Sequence, residues 1–160
     1  MYNTALRILN NSFEAEDIMQ ESFLTAFSKL STFKSESKYA NDFVPFGSWL
    51  KRIVINKSLT QLKKNNKIEF KRDTLKTVDN LSELQEEELE TDYQKITAKQ
   101  ILEAIKNLKT NYSLVLNLSL IEGYDNDEIA QILNTNNQQV RTTISRAKKK
   151  LKQQLNQILK

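Results

Sequence analysis

Apolar positions recur every three or four residues along most of the chain, the spacing of helices that bury one face. The pattern is sharpest near the C-terminus. Ile129, Ile132 and Leu133 form a short apolar face behind Asp125, an N-cap candidate with Glu128 three residues on, as in a capping box. Ala130 is small where a second helix must cross closely. Asn134 follows, a residue that tolerates left-handed backbone angles and turns a chain without Gly. Val140, Ile144, Ala147, Leu151, Leu155 and Ile158 then resume the periodicity, with Gln139, Thr142, Arg146, Lys149 and Gln153 on the opposite side. A short helix, a tight turn and a longer helix with a polar, basic outer face predict a helix-turn-helix. The competing reading is a helical hairpin with a solvated Lys face.

Earlier in the chain, Tyr2, Ala5, Leu6 and Leu9 predict a first helix ended by Asn10-Asn11. Ser12 is the expected cap of a second, whose first turn holds Glu14, Glu16 and Asp17, the charge sign favoured there. Met19, Phe23, Ala26, Phe27 and Leu30 read as its core side; Asp17, Gln20, Glu21, Leu24 and Ser28 lie opposite. Leu24 is apolar within that outer strip: either an ordinary exposed leucine or a contact for a partner. Phe33 to Val44 reads as a loop carrying Lys38, Tyr39 and Phe43. Pro45 is expected at the first position of a third helix, with Phe46, Leu50 and Ile53 as core and Trp49 at the edge. Arg52, Asn56, Leu59 and Lys63 share a neighbouring face. A Trp edge, an Asn that donates and accepts, and flanking cations suit single-stranded DNA; a core Trp beside a solvated basic face explains the same residues. Residues 68–95 lose periodicity and gain acid, which predicts a flexible connector. Ile101, Ala104, Ile105 and Leu108, then Leu114, Val115, Leu118 and Ile121 before Gly123, predict two helices covering the terminal pair. The expected fold is all-α: a domain at 1–67, an acidic linker at 68–95 and a helix-turn-helix domain at 96–160.

Charge sharpens this division. The net charge of the 160 residues is only +4, yet 1–67 hold ten basic against six acidic residues, 68–99 five against nine, and 100–160 nine against five. From Val140 onward there are seven basic residues and no acidic one. Two basic blocks around an acidic middle suggest two contacts with one polyanion. With no Cys and no His, a disulfide framework, thiolate or imidazole catalysis and most zinc sites are excluded. No cofactor is expected, nor an enzyme: no nucleophile–base pair or phosphate loop is visible. The lack of a signal peptide or membrane-length apolar run makes the cytoplasm the default location.

Two stretches resemble one family. Ala15–Phe27 (AEDIMQESFLTAF) with Phe46–Lys64 (FGSWLKRIVINKSLTQLKK) is similar to the second conserved region of bacterial RNA polymerase sigma factors, and Ile101–Leu151 to the fourth. The third region is replaced by a short connector, a layout similar to the extracytoplasmic-function group. The resemblance implies that Asp17, Gln20, Glu21 and Leu24 dock on the clamp helices of the polymerase large subunit. It implies that Trp49, Arg52, Asn56 and Lys63, with Lys38, Tyr39 and Phe43, melt the downstream promoter element and hold a flipped base. The helix Asn137–Leu155 would enter the major groove of the upstream (minus thirty-five) element, through Gln139, Arg141, Thr142, Arg146 and Lys149. The acidic connector would thread toward the polymerase active centre. Implied partners are core polymerase, promoter DNA and an anti-sigma or recruiting protein, with no membrane and no small-molecule substrate.

Three departures from the family pattern stand out. The helix that normally precedes YNTALRIL is missing, so a clipped first region is expected. Leu108-Lys109 stands where Leu-Pro is usual. Thr143 stands where an Arg is usual at the start of the recognition helix. Arg reads guanine through two donors and Thr cannot, so weak reading of the upstream element is expected, with Gln139 still suited to adenine. Two other classes stay in view: a stand-alone helix-turn-helix regulator of duplex DNA, and a helical adaptor whose basic faces are merely solvated.

Overall fold

The structure, a computed structural model, describes residues 1–33, 45–65 and 96–158. They form seven α-helices, with no strand among the described residues: α1 (Tyr2–Leu9), α2 (Ser12–Ser28), α3 (Phe46–Lys64), α4 (Ala98–Lys106), α5 (Thr110–Leu116), α6 (Asn126–Leu133) and α7 (Asn137–Ile158). The chain divides into two compact units, Met1–Ile68 and Glu69–Lys160. The expected 68–95 connector and the loop residues Lys38, Tyr39 and Phe43 lie outside the described residues.

In the first unit α1, α2 and α3 pack against one another. Asn10 ends α1 in the left-handed region (φ 54°), its N–H bonded to Leu6 O at 2.8 Å. Asn11, not Ser12, caps α2: its Oδ1 accepts from the N–H of Phe13 at 3.0 Å and of Glu14 at 3.3 Å. The buried face of α2 also differs from the one its large apolar residues predict. Ala15, Ile18, Ser22 and Ala26 are buried; Met19 is half-buried, and Phe23, Phe27 and Leu30 are exposed. The observed face is turned roughly 80° from the predicted one, at 3.6 residues per turn. Two helices press on α2, and helix axes approach closely only where side chains are small. Ser22 and Ser58 suit that role: both are buried, and their hydroxyls donate to Ile18 O (2.6 Å) and Val54 O (2.8 Å) of their own helices.

Pro45 sits one position before α3 as its N-cap, with φ −63° and ψ 140°. Leu50, Val54, Ile55, Leu59 and Leu62 form the buried side of α3. Leu59 thus belongs to the core rather than the basic face, Phe46 is exposed and Ile53 half-buried. At the far end of α3 Asn65 Nδ2 donates to Glu14 Oε1 at 2.7 Å, tying it to the start of α2.

In the second unit α7 packs on α4, α5 and α6. Thr97 caps α4 through a capping box with Gln100. Ala104 and Ile105 are buried; Ile101 and Leu108 are half-buried. Leu114, Val115, Leu116 and Leu118 are buried, but Ile121 is exposed. The cause is a π-helical turn, Asn117–Ile121, in which Glu122 N bonds back five residues to Asn117 O at 3.0 Å. One added residue per turn rotates the next side chains away from the α-helical register. Gly123 then reverses the chain at φ 80°. On α7 Val140, Ile144, Ala147, Leu151 and Leu155 are buried, while Ile158, at the last turn, is exposed.

Candidate nucleic-acid and partner interfaces

On α2, Asp17, Gln20, Glu21 and Leu24 are all exposed. Leu24 is 70% exposed, and helical spacing brings it beside Phe27 (70%) and in line with Phe13 (81%). The two phenylalanines are additions to the sequence-based set, readable as i−11 and i+3 from Leu24. An apolar row edged by carboxylates suits a protein surface better than it suits phosphate. Glu21 is engaged already: Lys57 of α3 reaches its Oε2 at 3.1 Å.

On α3, Arg52, Asn56 and Lys63 are exposed and fall within about 60° of Trp49 around the helix. Trp49 itself is half-buried. Its ring lies 5.3 Å from Phe33 and 5.5 Å from Phe46, and those two rings meet edge-on at 5.4 Å. Such tilted and edge contacts are the favoured aromatic geometries. Trp49 is therefore part of a three-ring cluster whose members flank the 34–44 interval, and the cluster was not apparent from sequence. Lys63 and Lys64 end α3, where the helix dipole favours cations.

The helix-turn-helix is built as its sequence predicts. Asp125 Oδ1 accepts from Glu128 N at 2.8 Å, and Glu128 Oε2 accepts from Asp125 N at 2.9 Å, a reciprocal capping box. Asn134 turns the chain at φ 54°, ψ 53°. Asn136 Oδ1 accepts from Gln139 N at 2.8 Å, and Asn137 Nδ2 donates to Asp127 Oδ1 at 2.6 Å, joining the first turns of α7 and α6. Arg141 and Arg146 are exposed, Gln139, Thr142 and Lys149 half-buried. Five residues apart, the two arginines point about 140° from each other. Arg146 lies within the outer face, beside Gln139 and Thr142, and Arg141 lies off that face, nearer the buried side. Thr142 and Thr143 donate their hydroxyls to Gln138 O (2.9 Å) and Gln139 O (2.7 Å), so those hydrogens are spent within the helix. Gln139 Oε1 accepts from the hydroxyl of Thr135, a partner the periodicity gave no reason to expect.

Among the described residues no group of acidic side chains could hold a metal ion, and no helix is long and apolar enough to cross a membrane.

Residues 1–68 match the family model for sigma-70 region 2, and residues 98–151 that for sigma-70, region 4. The chain belongs to the sigma-70 family. Relatives of this sigma factor in Bacillus subtilis (strain 168) include the ECF RNA polymerase sigma factor SigW, 29% identical over 97% of this chain and 82% of that protein. Another is the RNA polymerase sigma factor SigV, 29% identical over 96% of this chain and 83% of that one. The sigma factor RpoE of Bartonella quintana, solved with the anti-sigma factor NepR, shares the fold. Its TM-score is 0.62 at 18% identity, over 97% of this chain and 89% of that one. As a sigma factor the chain directs promoter recognition, with core RNA polymerase and promoter DNA as partners; the stand-alone regulator is not favoured. Sigma factors are non-enzymatic DNA-binding regulators of transcription initiation.

Proposed function

We propose a division of labour within this sigma factor. The first unit docks on the polymerase clamp helices through Asp17, Gln20, Glu21 and Leu24. It opens the downstream promoter element with Trp49, Arg52, Asn56 and Lys63, together with Lys38, Tyr39 and Phe43. The second unit grips the upstream element as intact duplex, with Gln139, Arg141, Thr142, Arg146 and Lys149 along the groove. The acidic residues of 68–95 suit a place in a basic channel of the polymerase. The chain works in the cytoplasm and catalyses nothing itself; polymerase performs the nucleotidyl transfer. An anti-sigma protein is a partner of the same apolar and acidic surface.

The observation that carries this reading is the uncovered strip on α2. Leu24 and Phe27 stand in water beside three polar or acidic neighbours, an arrangement that gains stability only when a partner covers it. Upstream reading is weaker than in relatives with Arg at the position of Thr143, because a hydroxyl already bonded within its helix cannot replace a two-donor fork.

Run-off transcription with purified core polymerase tests the proposal. Adding the chain produces a discrete promoter-dependent transcript, and the chain co-migrates with core polymerase on a sizing column. Failure to co-migrate ends the reading.

A further inference from the structure

We infer that Phe33 and Phe46 are positioning residues for promoter opening: they hold the Trp49 indole ready for a base of the strand that melts. The inference rests on the proposed role of Trp49 at the downstream element.

Trp49 is not a core residue of α3. The buried side of that helix runs through Leu50, Val54, Ile55, Leu59 and Leu62. At 100° per residue Trp49 projects from nearly the opposite side, in line with Asn56. Its ring is half-buried all the same. Part of the cover comes from two rings that lie outside the buried core themselves: Phe46, 41% exposed, and Phe33, half-buried. Phe33 stands 5.3 Å from the indole with the planes 50° apart, and Phe46 5.5 Å away at 44°. The two phenylalanines brace each other at 5.4 Å and 88°. They come from different elements. Phe33 closes the 3-10 turn Leu30–Thr32 after α2, its N–H bonded to Leu30 O at 3.1 Å, and Phe46 opens α3.

A lone surface indole samples several rotamers, and ordering it on binding costs affinity. Contacts on the ring from two other rings fix its direction beforehand. The direction fixed is that of Arg52, Asn56 and Lys63, the cations and amide suited to a single strand whose bases stack on aromatic rings. In closed duplex the indole competes with base pairing and stacking for its base; in separated strands it does not. Loss of the prior ordering is therefore felt at opening, and much less on a strand already free.

The test uses holoenzyme made with the full chain and a promoter it transcribes, as duplex and with the downstream element pre-melted by mismatches. Phe33→Leu keeps an apolar side chain and removes the ring. It should lower permanganate-detected opening of the duplex about five-fold or more, the loss expected for an aromatic pair. Use of the pre-melted promoter should stay within about two-fold of wild type. Phe33→Tyr, which keeps the ring, should open duplex like wild type. Trp49 is the only tryptophan in the chain, so near-ultraviolet circular dichroism of the free chain reads its ring directly. That band should weaken in Phe33→Leu while the far-ultraviolet helical signal is unchanged. Wild-type opening by Phe33→Leu, or an unchanged tryptophan band, overturns the inference. An equal fall on both templates overturns it too, since the cluster would then serve only to keep the unit folded. Normal duplex opening by Trp49→Ala overturns the inference and the proposed role of Trp49 together. Phe46→Leu, at an exposed position, makes the same comparison where Phe33→Leu fails to fold.

Discussion

Glu21 on α2 and Lys57 on α3 meet as an ion pair, Nζ to Oε2 at 3.1 Å. The pair links the strip proposed for polymerase docking to the residue next to Asn56 on the proposed DNA face. Both side chains reach solvent, at 61% and 29% exposure, so water and salt screen the attraction. Lys57→Gln should lower stability by less than about 1 kcal/mol in denaturant unfolding. A loss above about 2 kcal/mol would show that the pair holds α2 against α3.

The two faces of the first unit are separable by mutation. Leu24→Glu puts charge into the apolar row without touching the core, and should raise the Kd for core polymerase about tenfold or more. Asp17→Lys acts in the same sense. Asn56→Ala should leave that Kd within about three-fold yet reduce promoter opening, read by permanganate footprinting of unpaired thymines. Equal effects of all three substitutions on polymerase affinity would contradict the division of labour.

Ser22 is a prediction about packing. Its side chain is fully buried, and among the described residues its hydroxyl bonds only to its own helix, at Ile18 O. Ser22→Leu should destabilise by about 1–3 kcal/mol or more, because added methylenes must push α2 off its neighbours. Ser22→Ala should be close to neutral, since the acceptor carbonyl keeps its helical partner. Thermal unfolding of the two variants decides this; the reverse order would mean the hydroxyl, not the space, matters.

Scrambling the upstream element should lower transcription by about tenfold or less, rather than to background, since Thr143 supplies no guanidinium. Thr143→Arg should deepen the dependence on promoters with guanine in that element. A collapse to background with the wild-type chain would refute weak upstream reading.

What the sequence made legible was local. The Asp125–Glu128 box and the Asn134 turn involve residues three to nine apart, and their chemistry fixes the backbone with little help from the rest of the chain. The face of α2 was illegible because burial there depends on how near α1 and α3 come, which favoured Ser22 and Ala26 over Phe23 and Phe27. Leu59 departs from its expected face for a related reason: it lies at the border of the basic side, and neighbouring helices decide where it turns. The turn Asn117–Ile121 breaks the 3.6-residue period without any Gly or Pro to announce it, so spacing alone puts Ile121 in the core. The Thr135–Gln139 contact, though only four residues long, depends on rotamers and cannot be read from spacing.

The clasp of Phe33, Phe46 and Trp49 has an evolutionary corollary. It joins the two ends of the 34–44 interval through residues that lie outside it. Closure entropy rises only slowly with length, and here the closing contact is already made. Segments of different sequence, borrowed from other members of the family, should therefore plug into this socket without unseating α2 from α3. Under the proposed roles, new promoter preferences would then arise by swapping a cartridge rather than by rebuilding a domain.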